Sequence, residues 1–424
     1  LTITSKAADI GTNGANVTTA LALTTVGDPD VTITNGTISA AEAATISNAT
    51  LGKVTATITP DAAGTIATAL TALTAKDALA VTVNGDTASV ASLKIIDAKA
   101  LKVKVDAAEV TADTFAEFES IYVTGKAGFS NLGDENITID AAAADMNSAK
   151  ANIVANATSK VAAATITGET AALVATNLKN ANAKDAFDIT VVNGPVGTST
   201  SAKDLLTLDS KTSVTVDATA ITDISGTVAE INKLLAADVD VDATTVNYDL
   251  SGTVKAADAS TIASKTLGVV TANNIAADTA ANLDANLRDS NAGTNVYKLT
   301  VNGATASAAN LASLATKANA SAANTIKVDA KEITGILADL KGVLHTNKAN
   351  YSNTGNKNVK ISDAVASGDI ADLNTILAAT SGIVTATVGT ADATTLKGIT
   401  GATTGKDALT LVTNGSAAYA ADLL

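Results

Sequence analysis

The feature that most constrains this chain is an internal repeat with a period of about 110 residues. The element Val-Asp-Ala recurs with its aspartate at Asp106, Asp217 and Asp329. An Asn-Gly pair following an apolar stretch recurs at Asn84, Asn193, Asn302 and Asn414. In three of those copies a Lys-Asp-Ala triplet precedes it, at Lys76, Lys184 and Lys406. Thr57, Thr165, Asn273 and Thr387 align in a third element, and Ile33, Ile139, Tyr248 and Ile361 in a fourth. Four independent markers sharing one period define four blocks, at residues 1–100, 101–210, 211–322 and 323–424.

Within a block the markers fall about 27 residues apart, so each block holds four units and the chain about sixteen. A unit opens on a short stretch rich in Val, Ile and Thr with alternating polarity, such as Val214-Thr215-Val216, Leu299-Thr300-Val301 or Ile326-Lys327-Val328, which predicts a strand. A polar turn and an Ala-rich helical pattern follow. Thr227 and Glu230 have the spacing of a capping box ahead of Val228, Ile231, Leu234 and Leu235. Ser39 with Glu42, and Thr114 with Glu117, repeat it, and Ile336, Leu337, Leu340, Val343 and Leu344 form an apolar stripe. A strand, a short helix and another strand leave no room for a hairpin. Successive strands are therefore expected to be parallel and joined by right-handed crossovers. The expected fold is a repeat solenoid: a right-handed parallel β/α solenoid of about sixteen coils, one strand and one short helix per coil, continuous through all four blocks.

Composition agrees. Aromatic residues make up 2% of the chain and Trp is absent, whereas an irregular core uses large side chains to fill its gaps. The net charge of −14 argues against nucleic acid and anionic membrane surfaces, which need clustered Lys and Arg. No uninterrupted apolar run is long enough to span a bilayer. Cysteine is absent, which fits an exported protein and a cytosolic one equally. The chain carries neither an initiator Met nor a signal peptide and reads as a processed product or an internal fragment.

Segments such as Asp278-Thr-Ala-Ala-Asn-Leu283, Ser225-Gly-Thr-Val-Ala-Glu230 and Leu267-Gly-Val-Val-Thr-Ala272 resemble units of very large Ala/Thr/Asp-rich secreted bacterial proteins. These are surface-layer, adhesin and cell-surface filament proteins, including cyanobacterial giant surface proteins. The resemblance is diffuse and covers the whole chain. It implies an extracellular or cell-surface location and a mechanical or adhesive role. The glycine-rich calcium nonapeptide common in that class is absent.

Residues that could carry chemistry are few. His345 is the single histidine, so a histidine-based triad or zinc site has little to build on, and the expected place for it is a helix C-terminus. Carboxylate pairs are plentiful, but the aromatic-lined cleft of a glycoside-cleaving enzyme has few residues to form it. Phe115 and Phe118 lie three apart on a helical pattern and are expected in the core. The acidic positions with metal-ligand character lie between the first and second units of successive blocks: Asp28 with Asp30, Asp134 with Glu135, and Asp238, Asp240 and Asp242. Close carboxylates repel unless solvent or a cation relieves them, and calcium takes several such oxygens. Calcium is therefore the one cofactor suggested, against a solvated acidic loop.

The expected function is an extracellular structural protein that builds a surface layer, fibre or adhesin stalk by coil stacking, without catalysis. Its expected partner is itself, end to end, or further copies of the repeat in a longer chain. The alternative is a calcium- or glycan-dependent adhesive module, for which residues 123–133 and 345–357 are the longest departures from the repeat. A β-helix polysaccharide lyase or hydrolase is the remaining reading.

Overall fold

The computed structural model describes all residues except 25–27, 74–76, 141–145, 237, 238, 240, 243–245, 288–293, 402–405 and 414–424. It is an α/β arrangement of parallel sheets alternating with short helices. Every strand pairing among the described residues is parallel. The α-helices are ten residues or shorter, and several begin at the positions their sequence announces. Ser39 and Thr227 close full capping boxes with Glu42 and Glu230. Thr114 caps its helix through the Glu117 amide, while the Glu117 carboxylate turns to the amide of Asp113 instead. Alternate strand residues and one helix face form the core: Val216 and Ile231 are buried, Leu235 is half-buried, and in the stripe at 336–344 all but Ile336 are buried.

The chain divides into two units. The first comprises Leu1–Gly194, Asp204–Ala220 and Asp240–Asp242; the second comprises Pro195–Lys203, Ile221–Val239 and Ala243–Leu424. In the first unit one sheet runs through Thr2–Lys6, Asp30–Thr34, Val54–Thr57, Ala78–Asn84, Lys102–Val105 and Phe129–Ser130. A second sheet runs through Thr87–Ser89, Glu109–Ala112, Asn136–Ile139, Ala162–Thr170, Ala186–Val192, Val216–Asp217 and Val241–Asp242. In the second unit Thr200–Ser201, Asp223–Gly226, Asn247–Leu250, Val270–Ala272 and Val296–Tyr297 form one sheet. Thr300–Val301, Ile326–Val328 and Tyr351–Ser352 form a small one, and Thr305–Ser307, Glu332–Gly335, Asn358–Val365, Val384–Ala391 and Ala408–Thr413 a third.

The expectation of one strand per coil is therefore corrected, and the strands fall into five sheets among the described residues. The coils that open the second, third and fourth blocks each carry two strands, one in each of two sheets, such as Lys102–Val105 and Glu109–Ala112. The fourth-type strand Ala78–Asn84 is the handover: residues 78–80 pair backward with Val54–Thr57, and residues 80–83 pair forward with Lys102–Val105. After a corner at Gly85, whose φ of 103° suits glycine, Thr87–Ser89 opens the next sheet. The apparent polar turn Asp106-Ala107-Ala108 is likewise a corner between Lys102–Val105 and Glu109–Ala112. Alternating polarity resumes beyond it, with Val105, Ala107 and Val110 all buried.

The ladder also refines the alignment of the blocks. Val31, Ile137, Tyr248 and Val359 occupy one register position, so the partner of Ile33, Ile139 and Ile361 is Leu250 rather than Tyr248. Two corners are three residues longer than their equivalents. Asn193 to Ser199 replaces Asn84 to Thr87, since Thr200 pairs with Ile224 as Ala88 pairs with Val110. Asp217 to Asp223 replaces Asp106 to Glu109. The two long corners belong to consecutive coils, and the Asn193 amide of one donates to the Ala220 carbonyl of the other at 2.8 Å.

Candidate functional site

Of the acidic positions singled out in the sequence, Asp30 and Glu135 accept backbone amides, and Asp134 and Glu135 accept side-chain hydroxyls. Asp30 Oδ1 accepts the Lys53 amide of the next coil at 2.7 Å. Its register equivalents Asn136, Asn247 and Asn358 accept the amides of Val161, Val269 and Ile383 at 3.2, 2.9 and 3.0 Å. A position filled by one Asp and three Asn needs an oxygen acceptor, not a charge. Asp28 is exposed. Asp134 accepts the Ser159 hydroxyl at 3.4 Å. Glu135 points inward, only 2% exposed. Its carboxylate accepts the Tyr122 hydroxyl and the amides of Gly133 and Asp134 at 3.0–3.1 Å. Burial, and then the neighbouring Glu135 charge, raise the Tyr122 pKa well above the ordinary phenol value. Asp242 lies in a strand paired through Asp217, whereas Asp238 and Asp240 lie outside the described residues. Among the described residues no group of three or more His, Asp or Glu side chains is placed to hold a metal ion.

Three further positions recur, and their role emerges only in the fold. In two of the three Lys-Asp-Ala triplets the aspartate is buried, Asp77 at 3% exposed and Asp185 at 1%; Asp407 is half-buried, and Asn295, their equivalent in the remaining block, is 2% exposed. Asp77, Asp185, Asn295 and Asp407 accept the strand-opening amides of Val54, Ala162, Val270 and Val384, each at 2.9 Å. Asp77 also takes the Ser47 hydroxyl at 2.6 Å. A threonine ends each second-type helix at Thr50, Thr158, Thr266 and Thr380. Its hydroxyl donates to a carbonyl of the preceding strand entry, at Pro29, Glu135, Val246 and Lys357. It also accepts the amide two residues on, at 2.9 Å in all four copies. In three copies that next residue is glycine by necessity, because a Cβ on Gly52, Gly268 or Gly382 would lie 2.1–2.2 Å from the same carbonyl oxygen. Finally, lysines near the ends of fourth-type helices reach back one coil. Lys99 donates to the Leu73 carbonyl, Lys211 to Ala181 at 3.0 Å and Lys317 to Asp284 at 2.7 Å, each serving the carbonyl-rich end of the preceding helix segment.

The two departures from the repeat are copies of one another. Residues 124–131 and 346–353 share Thr-x-Lys-Ala-x-(Phe/Tyr)-Ser-Asn. Both form a 3-10 turn, Lys126–Gly128 and Lys348–Asn350, then a two-residue strand. Both place an asparagine at positive φ, Asn131 at 65° and Asn353 at 63°. These asparagines donate to Asp106 and Asp329 at 2.8 Å, and Lys104 and Lys327 bridge the same carboxylates at 2.7 and 2.8 Å. The lysine hydrogen bonds hold both aspartates below the usual carboxylate range. Phe118 stacks on Tyr122 at 4.9 Å and Phe115 lies 5.7 Å from Phe118, so the aromatic cluster is core. His345 is exposed on a π-turn, Gly342–Thr346, that ends its helix. No helix is long and apolar enough to cross a membrane among the described residues. Comparison with protein-family models, with curated proteins and with solved structures found no match to this chain.

Proposed function

We propose that this is a structural repeat protein whose work is stacking: a right-handed solenoid of about sixteen coils that builds a surface layer, fibre or adhesin stalk outside the cell. One observation carries the reading. The positions that stay constant from block to block are spent on joining one coil to the next: the strand-entry Asp/Asn, the buried Asp/Asn, the helix-ending Thr and its Gly. In a protein that presents a chemical site on a repeat scaffold, some constant polar positions would point to solvent at that site. Here they point at the neighbouring coil's backbone. Such a chain has nearest-neighbour energetics. The secreted setting follows from the resemblance of its units to large bacterial surface proteins.

Small-angle scattering of the isolated chain tests the reading. The expected particle is elongated. A radius of gyration near the compact-globule value of about 22 Å for this length would sink it.

A further inference from the structure

Asn-Gly is a reactive pair. The glycine nitrogen can attack the asparagine carboxamide carbon, because the glycine has no side chain to hinder the approach. Ammonia leaves and a cyclic succinimide remains. Water then opens the ring at either carbonyl and gives aspartate or isoaspartate, so the whole reaction consumes water, releases ammonia and needs no other reactant. A carboxamide or glycine amide that is already hydrogen-bonded must break that bond before it can react.

The pairs in the described residues fall into two groups. At Asn35-Gly36, Asn84-Gly85 and Asn302-Gly303 both residues are exposed. Among the described residues, neither the carboxamide nor the glycine amide of these pairs has a hydrogen-bond partner. At Asn193-Gly194 the carboxamide is held by the Ala220 carbonyl at 2.8 Å. At Asn13-Gly14 the attacking nitrogen is held instead: Gly14 is buried and its amide donates to the Gly11 carbonyl at 3.2 Å. Asn414 lies outside the described residues.

We infer that Asn35, Asn84 and Asn302 are sites of spontaneous conversion to aspartate and isoaspartate in the folded protein, and that Asn13 and Asn193 are protected by their hydrogen bonds. Two of the reactive sites stand where the ladder passes from one sheet to the next. Asn84 closes Ala78–Asn84 ahead of Thr87–Ser89, and Asn302 follows Thr300–Val301 ahead of Thr305–Ser307. The Gly85 carbonyl accepts the Ala108 amide of the next coil at 3.0 Å, and the Gly303 carbonyl accepts the Lys331 amide at 3.3 Å. Isoaspartate routes the main chain through the side-chain methylene. That lengthens the corner and displaces these carbonyls from their donors, and either product adds a negative charge. The handovers of the first and third blocks therefore loosen with time, and the handover at Asn193 is spared.

Incubation of the folded full chain at mildly alkaline pH, in water enriched in heavy oxygen, tests this. Peptide mapping by mass spectrometry then separates labelled conversion during incubation from unlabelled conversion during digestion. Asn35, Asn84 and Asn302 are expected to convert, with Asn13 and Asn193 slower by about three- to tenfold, the factor one hydrogen bond confers. The difference is expected to vanish in denaturant, where no fold holds either group. Hydrogen exchange at the Ala108 and Lys331 amides should be faster in the converted protein than in fresh protein. In Asn84→Gln only the Lys331 amide should accelerate. Folded-state rates that do not separate the two groups, or a difference that persists in denaturant, overturn the assignment. Unchanged exchange at both amides after conversion overturns the loosening of the handovers.

Discussion

A single side chain in this protein does its work across a coil boundary, and Asp77 is the clearest example. Its carboxylate is buried, accepts the Val54 amide and the Ser47 hydroxyl, and is replaced at the equivalent position by Asn295. The nature of the acceptor matters and its charge does not. Asp77→Asn should therefore change stability by less than about 1 kcal/mol, while Asp77→Ala strands a buried amide and should cost about 1–3 kcal/mol by denaturant unfolding. Tyr297 shows the reverse case. Its equivalents are Leu79, Phe187 and Leu409, and its hydroxyl is buried with no partner among the described residues. Tyr297→Phe removes an unsatisfied polar group and should raise stability by about 1 kcal/mol or more. Burial pushes the phenols of Tyr248 and Tyr297 up to about 12. These are raised values, so the stability they contribute is complete below the unfolded-state value of about 10 and is lost as pH rises from there toward 12. Replacing both by Phe should flatten the alkaline limb of a pH–melting profile; an unchanged limb would show that other groups drive it.

At the scale of the element, the sequence was most readable where a signal is local. Capping residues at Ser39 and Thr227, the alternating strands and the stripe at 337–344 all stand where their spacing placed them, because hydrogen bonds and side-chain period act within one turn or one strand. The corners were less readable. Asp106-Ala107-Ala108 reads as a loop into a helix, yet a second strand follows, since whether Glu109–Ala112 pairs depends on a neighbour 27 residues away in Asn136–Ile139. Close approach of backbones is another element-scale effect. Gly268→Ala would drive a Cβ into the Val246 carbonyl and should cost several kcal/mol, whereas Gly64, in the helix Ala63–Leu70 with nothing within 4 Å, should tolerate Ala and gain about 0.5–1 kcal/mol. Thermal melts of the two variants should move in opposite directions.

For the molecule as a whole, the proposed stacking confines most damage to adjacent coils. Val216→Asp places an unpaired charge in a fully buried position and should cost several kcal/mol. Hydrogen exchange should then accelerate in Ala186–Val192, which pairs with that strand, and stay slow in Val54–Thr57, several coils away in a different sheet. Uniform acceleration across the chain would show one cooperative core and defeat the nearest-neighbour description.

The sequence by itself determined the repeat, its four-block period, the parallel order of the strands and the composition of the core. Each follows from periodicity, and periodicity is written along the chain. Tertiary structure decided how many sheets there are, where the ladder passes from one to the next, and which recurring polar residues matter. Asp30 and Glu135 stand out in the sequence by their charge, yet in the fold they accept backbone amides, and the buried Asp77 and Asp185 join coils from inside a Lys-Asp-Ala triplet that in sequence marks only the period. The reason is physical. A carboxylate's role depends on what stands opposite it, and for Asp77 that is an amide 23 residues earlier, brought within 2.9 Å only when the coils stack.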